Sequence, residues 1–396
     1  MKYLKFLFQD ISRASRDKKE LAAARKAGFD ISAATPVQPA LELPFPLKVD
    51  VLPSRPVLAS VPRLKRYVRI IKNHSSYARY LHKQDMDVLS CHDLTALGIG
   101  YISNLFKGKK KARLVYDSHE FEMGRNTGGR RGRFADWYIK HTESFLMKRC
   151  VLSIIPCDIA AEKTQQIHRL KEKPLVIRNI CPYWQLNEED IIRQRKEFEK
   201  AMPALKGRFL LMYHGGVMSG RGIEQLLELV SVNENVCAVI LGDGSENYCR
   251  ALKEKVVNLG INDRVLFHKA VLHEILWQYV GAADVGMVTV QNVCQSYYYM
   301  LPNKFFENIQ SLTPIICSDF PEVSRITNEY GIGLTCDPAD IADMNRQVEK
   351  MRTDREFYLR CKENLKKAKE ELCWEKESEK LEEAMRRIYE KQSMDF

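Results

Sequence analysis

Arg208-Phe-Leu-Leu-Met-Tyr-His-Gly-Gly-Val-Met-Ser-Gly-Arg-Gly-Ile223 is the stretch from which the architecture can be read. Arg208–Tyr213 is a mostly apolar run, as expected of a strand buried on both faces. Glycines follow at 215, 216, 220 and 222, and a helical period starts at Ile223–Leu229. Glycines at a strand-to-helix turn let backbone N–H groups approach an anion, and the helix N-terminus adds partial positive charge. Arg221 supplies a full charge whose planar donors suit phosphate oxygens. Neither Gly-x-x-x-x-Gly-Lys-Ser/Thr nor Gly-x-Gly-x-x-Gly is present. Taken alone, the segment is equally well a glycine-rich turn with a surface arginine.

The same strand-then-helix rhythm runs in both directions. Downstream, Val236–Leu241, Val265–His268, Asp284–Val288, Pro314–Cys317 and Gly333–Cys336 read as strands, with Tyr248–Leu259 among the helices between them. Upstream, strands are expected at Tyr3–Phe8, Phe29–Ala33, Asp87–Cys91, Arg113–Tyr116, Val151–Ile155 and Pro174–Arg178. Helices at Lys18–Ala27, Arg63–His82, Leu94–Leu105, Phe134–Lys148 and Ile159–Arg169 alternate with them. Alternating βα units predict parallel sheets covered by helices. Pro182 and the charged stretch Asn187–Lys200 interrupt the rhythm and read as a linker. After Asp337 the chain turns helical and charged, through Arg355–Glu371 to Lys376–Tyr389. The expected organisation is α/β: an N-terminal Rossmann-like domain over 1–185, a second over 186–372, and a C-terminal helical segment over 373–396.

Composition narrows the class. The chain has 396 residues with 62 Lys plus Arg against 51 Asp plus Glu, a net charge of +11, enough length for two or three domains. With 45% hydrophobic and 29% charged residues it is not a disordered sequence. The longest apolar-rich stretch, Leu94–Phe106, is 13 residues, short of the roughly 20 that span a bilayer. Met1–Asp10 carries Lys2 and Lys5 around a short apolar core and reads as a first strand rather than a signal peptide. The eleven cysteines show no Cys-x-x-Cys spacing and read as reduced, buried thiols. The nine histidines include no His-Glu-x-x-His pair, so no metal site is expected.

Three further segments carry polar chemistry. Leu241-Gly-Asp-Gly-Ser245 ends a strand where ligands bind in open α/β sheets, although Gly-Asp-Gly is also a common turn. In Leu301-Pro-Asn-Lys-Phe-Phe-Glu307, Pro302 suits a helix start, and the Glu307 carboxylate can accept hydrogen bonds from paired ribose hydroxyls. In the first half, Arg113–Tyr116 runs into Asp117-Ser-His-Glu120, a polar cluster at a strand end. His92 and Asp93 close the preceding strand.

Taken together, these segments resemble the family 4 nucleotide-sugar glycosyltransferases of the GT-B type. The similarity is strongest over Tyr213–Glu322, in the order Gly-Gly…Arg-Gly, Gly-Asp-Gly, Ala-Ala-Asp284, Leu-Pro-Asn-Lys-Phe-Phe-Glu307 and Ser-Asp-Phe-Pro-Glu322. In the N-terminal half, Ser15-Arg16, Ala22–Gly28 and Tyr-Asp-Ser-His-Glu120 resemble the family's opening strand–loop–helix and its acceptor-side histidine motif. The resemblance implies two Rossmann-like domains facing a cleft, with a last helix crossing back to the first domain. It also implies a retained configuration in the product, no metal requirement and no cofactor beyond a nucleotide-diphosphate sugar as donor. Gly215, Gly216 and Arg221 would then hold the donor diphosphate, and Glu307 the ribose. Gly242, Gly244 and the His268–Val271 segment would border the base, and Ser296–Leu301, with Tyr299, would lie beside the donor sugar; Asn303 and Lys304 complete the donor-binding set. His119, Arg221 and Glu307 would be the catalytic set, with His92, Asp93, Asp117 and Glu120 on the acceptor side. Two positions depart from the family pattern. Gly216 stands where many relatives have Arg, and Tyr299 where they usually have Glu, so Lys304 becomes a candidate for the lost charge.

The implied activity is transfer of a sugar to a glycan or lipid-linked acceptor in cell-surface polysaccharide synthesis. A non-catalytic nucleotide-sugar binder of the same fold is the alternative. The expected address is cytoplasmic, peripheral at the inner face of the plasma membrane. Pro62–Lys72 places Leu64, Tyr67, Val68 and Ile71 on one helical face among Arg63, Lys65, Arg66, Arg69 and Lys72. Such a face suits either an anionic membrane or packing on its own domain. Lys107–Arg113 and Arg125–Arg133 add positive charge. No nucleic-acid-binding motif accompanies it, so nucleic acid is not an expected partner. A dehydrogenase is disfavoured because the first strand leads into Gln9-Asp-Ile-Ser-Arg13 rather than a glycine-rich turn.

Overall fold

The structure is a computed structural model that describes residues 1–57, 61–125 and 132–393. Residues 126–131 of the basic stretch Arg125–Arg133 lie outside the described residues. The chain divides into two compact units, one of Met1–Arg178 with Ser378–Phe396 and one of Asn179–Glu377. The division falls seven residues before the expected 185/186 boundary because Ile180, Cys181 and Trp184 are buried in the core of the second unit.

Among the described residues the first unit holds seven strands: β1 (Lys2–Phe6), β2 (Asp30–Thr35), β3 (Lys48–Val51), β4 (Val88–His92), β5 (Arg113–Asp117), β6 (Cys150–Ile155) and β7 (Leu175–Val176). They lie in the order β3-β2-β1-β4-β5-β6-β7, with every pairing parallel. β3 escapes the sequence pattern because it is a short edge strand of Lys48-Val-Asp-Val51 with no buried residue. Along β1 the side chains alternate. Leu4 and Phe6 enter an apolar cluster with Tyr77 and Leu81 of the helix Arg63–Lys83, whereas Tyr3 and Lys5 face Glu20 of the helix Ser15–Lys26.

The second unit holds β8 (Phe209–His214), β9 (Val236–Leu241), β10 (Val265–His268), β11 (Val285–Val288), β12 (Ile315–Ser318) and β13 (Gly333–Cys336). Their order is β10-β9-β8-β11-β12-β13, again all parallel. Both sheets therefore reverse direction once, between β1 and β4 and between β8 and β11, where an open parallel sheet offers a ligand crevice beyond its carboxyl edge. β9, β11 and β12 are buried at every residue, which is why they read as mostly apolar runs.

The expected linker Asn187–Lys200 is instead a helix, Glu188–Ala201. Asn187 caps it through the amide of Glu189, and Glu188, Glu189 and Asp190 fill its first turn. Phe198 buries its inner face, and Arg195 reaches Asp284 at 3.0 Å. Its charges lie on the outer face of a packed helix. None of the eleven cysteines is in a disulfide. No described helix is long and apolar enough to cross a membrane.

Candidate active site

In the second unit the glycines form two interlocked loops at the carboxyl edge. Gly215, with φ +113°, follows β8 and donates its N–H to Leu241 O at 3.0 Å. Val217 donates to Asp243 O at 2.9 Å, and Val217 and Gly244 form a parallel bridge. A Cβ at Gly242 would stand 1.9 Å from Gly215 O, and one at Gly244 2.1 Å from Val217 O. Gly242 and Gly244 thus let the β9 loop lie flat against the β8 loop, which leaves Gly215 and Gly216 exposed. Gly222, also left-handed, packs against Thr289 O and opens the helix Ile223–Val232.

Two cations stand at this loop, and neither forms an ion pair among the described residues. The Arg221 guanidinium lies 4.5 Å over the Tyr297 ring, and its Nη1 is 3.8 Å from Met300 Sδ. Lys304 is buried in the first turn of the helix Asn303–Gln310, and its Nζ lies 3.6 Å from the centroid of the Tyr213 ring with no hydrogen-bond partner. Its Cε is 3.7 Å from the place a Cβ would take on Gly215. Burial, reinforced by the repulsion of Arg221, pushes the Lys304 ammonium well below the usual lysine range. An unpartnered buried cation is costly, and phosphate oxygens at this loop would give it a partner.

Glu307 lies one turn beyond Lys304. Burial alone would raise its carboxyl, but hydrogen bonds from His214 and His273 bring it down to about 2. His214 Nε2 is 3.0 Å from one carboxylate oxygen and His273 Nε2 is 3.4 Å from the other. An ionised carboxylate only accepts, so both ring nitrogens carry protons toward it. Pro302 occupies the position before the first turn of the same helix, and Phe305 donates to its carbonyl at 2.9 Å. Leu301 and Val271 pack on the apolar cluster beneath, and Tyr299 lies 5.3 Å from the Tyr298 ring. The Asn303 side chain is engaged by Asn179 at 3.0 Å.

The polar site of the first unit is of another kind. Lys5, fully buried in the middle of β1, reaches Glu20 at 2.6 Å, Asp17 at 3.1 Å, and Asp117 and Ser90 at 3.3 Å. Arg16 holds the other oxygen of Asp117 through two nitrogens, at 2.8 and 2.9 Å. Asp17 holds the Nδ1 of His92 at 2.9 Å, and Asp117 holds the Nε2 of His119 at 3.1 Å. The two imidazoles lie with centroids 3.7 Å apart. Burial opposes the charge on His92, yet its bond to Asp17 outweighs this and raises its pKa. Asp93, in the left-handed region at φ +63°, accepts from the His119 amide at 3.3 Å and faces Arg125 at 3.5 Å.

Of the expected acceptor-side residues, the structure brings His92, Asp93, Asp117 and His119 together. Glu120 stands aside, exposed and 3.6 Å from Arg125. Asp117 is wholly buried and acts through His119. A cavity of about 390 Å³ opens beside the cluster, lined by Phe8, Gln9, His74, His92, Asp93, Thr95 and Arg125. Asp17, His92 and His119 each offer one ligand atom within 4.8 Å of the others, the described grouping in this unit that could hold a metal. The Asp17 carboxylate is also paired with the Lys5 ammonium at 3.1 Å and accepts a hydrogen bond from the Gln9 amide at 3.0 Å.

Asp17, Glu20, Lys5, His214 and His273 were not singled out from the sequence. Lys5 left a trace, as the one charge inside the apolar run Tyr3–Phe8. Asp17 and Glu20, three apart on a helix, left none.

Residues 194–368, less than half of the chain, match the family model described as glycosyl transferases group 1. The probable glycosyltransferase WbjE of Pseudomonas aeruginosa is 27% identical over 158 residues, covering 38% of this chain and 37% of that protein. The chain thus spans little more than a third of that curated relative's length. Among solved structures, Anabaena HepE in complex with UDP aligns over 100% of both chains with a TM-score of 0.74 and 14% identity. The sucrose-phosphate synthase of Thermosynechococcus elongatus aligns over 99% of this chain and 100% of its own, with a TM-score of 0.75 and 16% identity. The chain therefore has the two-domain GT-B fold, and across 194–368 it is similar in sequence to the group 1 glycosyl transferases.

Proposed function

We propose that this chain is a retaining glycosyltransferase of family 4 that moves a sugar from a nucleotide-diphosphate sugar to a glycan or lipid-linked acceptor in cell-surface polysaccharide synthesis. One observation carries the reading: Arg221 and Lys304 have no ion-pair partner among the described residues and stand beside the open glycine loop at the sheet's switch point. A diphosphate supplies the anions they lack. UDP bound to HepE, a protein of the same fold, supports the same ligand class.

In this reading the bond between the anomeric carbon and the β-phosphate oxygen breaks as the acceptor oxygen bonds to that carbon. The acceptor's proton passes to the departing phosphate oxygen. Negative charge grows on the diphosphate, and Arg221, Lys304 and the Gly216 amide meet it with groups already in place, the Gly215 amide being held by Leu241 O. That set performs the task usually given to a divalent ion, so transfer is proposed to need none. His214 and His273 fix Glu307 as an ionised acceptor for ribose hydroxyls. His119, the more open of the two adjoining histidines, is proposed to touch the reacting groups, with His92, Asp17 and Asp117 positioning it.

Calorimetric titration with UDP and other nucleoside diphosphates, followed by donor turnover in the presence of EDTA, tests the proposal. Arg221→Ala and Lys304→Ala are each expected to lower turnover by about a hundredfold to a thousandfold with the fold unchanged. Near-normal turnover in both would remove the assignment, and loss of turnover with EDTA that magnesium restores would remove its metal-independence. Tight binding with no turnover of any donor would favour the non-catalytic binder.

A further inference from the structure

The helix Arg63–Lys83 is apolar on two sides, and only one of them is used. Asn73, Tyr77 and Leu81 are its buried residues. Leu64, Val68 and Ile71 are 75%, 42% and 63% exposed. At about 100° per residue, the two sets point about 150° apart. The exposed stripe therefore does not pack on its own domain, the alternative left open by the sequence.

The charge on this helix is one-sided as well. Its 21 residues include seven Lys and Arg and no Asp or Glu. Arg63, Lys65 and Arg66 crowd the N-terminal turn, where the helix dipole disfavours cations, and no side chain caps it. Folding alone gives no reason for that arrangement. An anionic surface does.

Position supplies the third observation. His74 of this helix lines the cavity with His92 and Asp93 at the carboxyl edge of β4. The ten residues before Asn73 run on past that edge for about 15 Å. The helix Asp93–Asn104 packs against this helix and against Arg133–Met147, whose own first turns expose Phe134 and Trp137 at 77% and 54%. Aromatic side chains of this kind settle at the membrane–water boundary.

We propose that residues 63–72 dock the first unit on an anionic lipid bilayer, with Leu64, Val68 and Ile71 inserted below the headgroups and the flanking cations on lipid phosphates. The cavity at His74, His92 and Asp93 then opens at the membrane surface. That it receives a lipid-linked acceptor there rests on the transferase reading; the docking itself does not.

Sedimentation of the full chain with vesicles of phosphatidylcholine, with and without phosphatidylglycerol, tests the docking. Binding is expected only to the anionic vesicles and to weaken with salt. Lys65→Gln with Arg69→Gln is expected to weaken it about thirtyfold. Leu64→Asn with Ile71→Asn is expected to weaken it by at least tenfold while leaving every charge in place. Calorimetric binding of UDP in the same variants is expected to stay unchanged, so a failure of docking is separable from a failure of the donor site. No binding to anionic vesicles at low salt overturns the proposal, as does binding that ignores the Leu64→Asn, Ile71→Asn pair. Equal affinity for a single-stranded oligonucleotide, indifferent to that pair, gives the surface to nucleic acid instead. A concentration-dependent dimer abolished by the pair, without vesicle binding, gives it to a second copy.

Discussion

In the first unit three buried carboxylates, Asp17, Glu20 and Asp117, close around Lys5 and Arg16, whereas in the second Lys304 and Arg221 lie against aromatic rings and a thioether, with no ion pair among the described residues. Both clusters sit at the same place in the same topology, the carboxyl edge where the strand order reverses. What differs is who supplies the counter-charge. The first cluster is satisfied from within, and its product is the fixed orientation of two histidines. The second is incomplete by one anion. A closed set of charges positions groups, and an open one awaits a ligand, which is why the donor reading rests on the second unit.

The same exchange made in each unit should break this contrast if it is wrong. Lys5→Met leaves three buried carboxylates with Arg16 as their remaining fixed cation, and removing one partner from such a network costs about 3–5 kcal/mol. The first unit is expected to melt about 10 °C lower. Unchanged melting would mean that the carboxylates are neutral or hydrated and that the network is not closed.

A second, smaller effect separates the two anionic groups by pH. Glu307 is depressed from 4.5 to about 2 by its histidines. A carboxyl lowered on folding adds stability that is complete above its unfolded pKa and disappears as pH falls through the folded one. That contribution is worth about 3 kcal/mol at neutral pH and is lost between about 4.5 and 2. Glu307→Gln should remove that part of the acid limb from the second unit's stability profile. An identical acid limb in the variant would show that His214 and His273 do not hold the charge.

These clusters were not equally visible in the sequence. The sheets were, because a strand buried on both faces must be apolar throughout, as Val236–Leu241 is. The glycine loop was, because few residues but glycine allow the approach of Gly242 to Gly215 O. The first unit's network was not. Its partners meet only after β1, β4 and β5 pair in register, Lys5 with Ser90 and His92 with Asp117. Before folding, Asp17 and Glu20 are indistinguishable from solvated helix charges. The helix Glu188–Ala201 was missed for the converse reason: charge on an outer face looks like a linker until Phe198 and Arg195 are seen to pack. For the helix Arg63–Lys83 the pattern revealed a stripe but not which side was buried, since Asn73 and Tyr77 took the inner face.

The smallest effect sharpens the contrast most. Lys304→Met keeps the side chain's length and removes a buried cation with no partner, so the free protein is expected to gain about 1 kcal/mol. The sign is opposite to that of Lys5→Met, and diphosphate affinity should fall at the same time. A proton gives a second readout. Burial, with the repulsion of Arg221, favours the uncharged amine of Lys304, and phosphate oxygens restore the reason to hold a proton. Binding should therefore take up as much as one proton, seen as an enthalpy that varies with the ionisation heat of the buffer. In Lys304→Met the variation should vanish. An enthalpy independent of buffer in the unaltered protein would mean that the ammonium is already charged over the Tyr213 ring, and its openness to a ligand would then have to be argued from Arg221 alone.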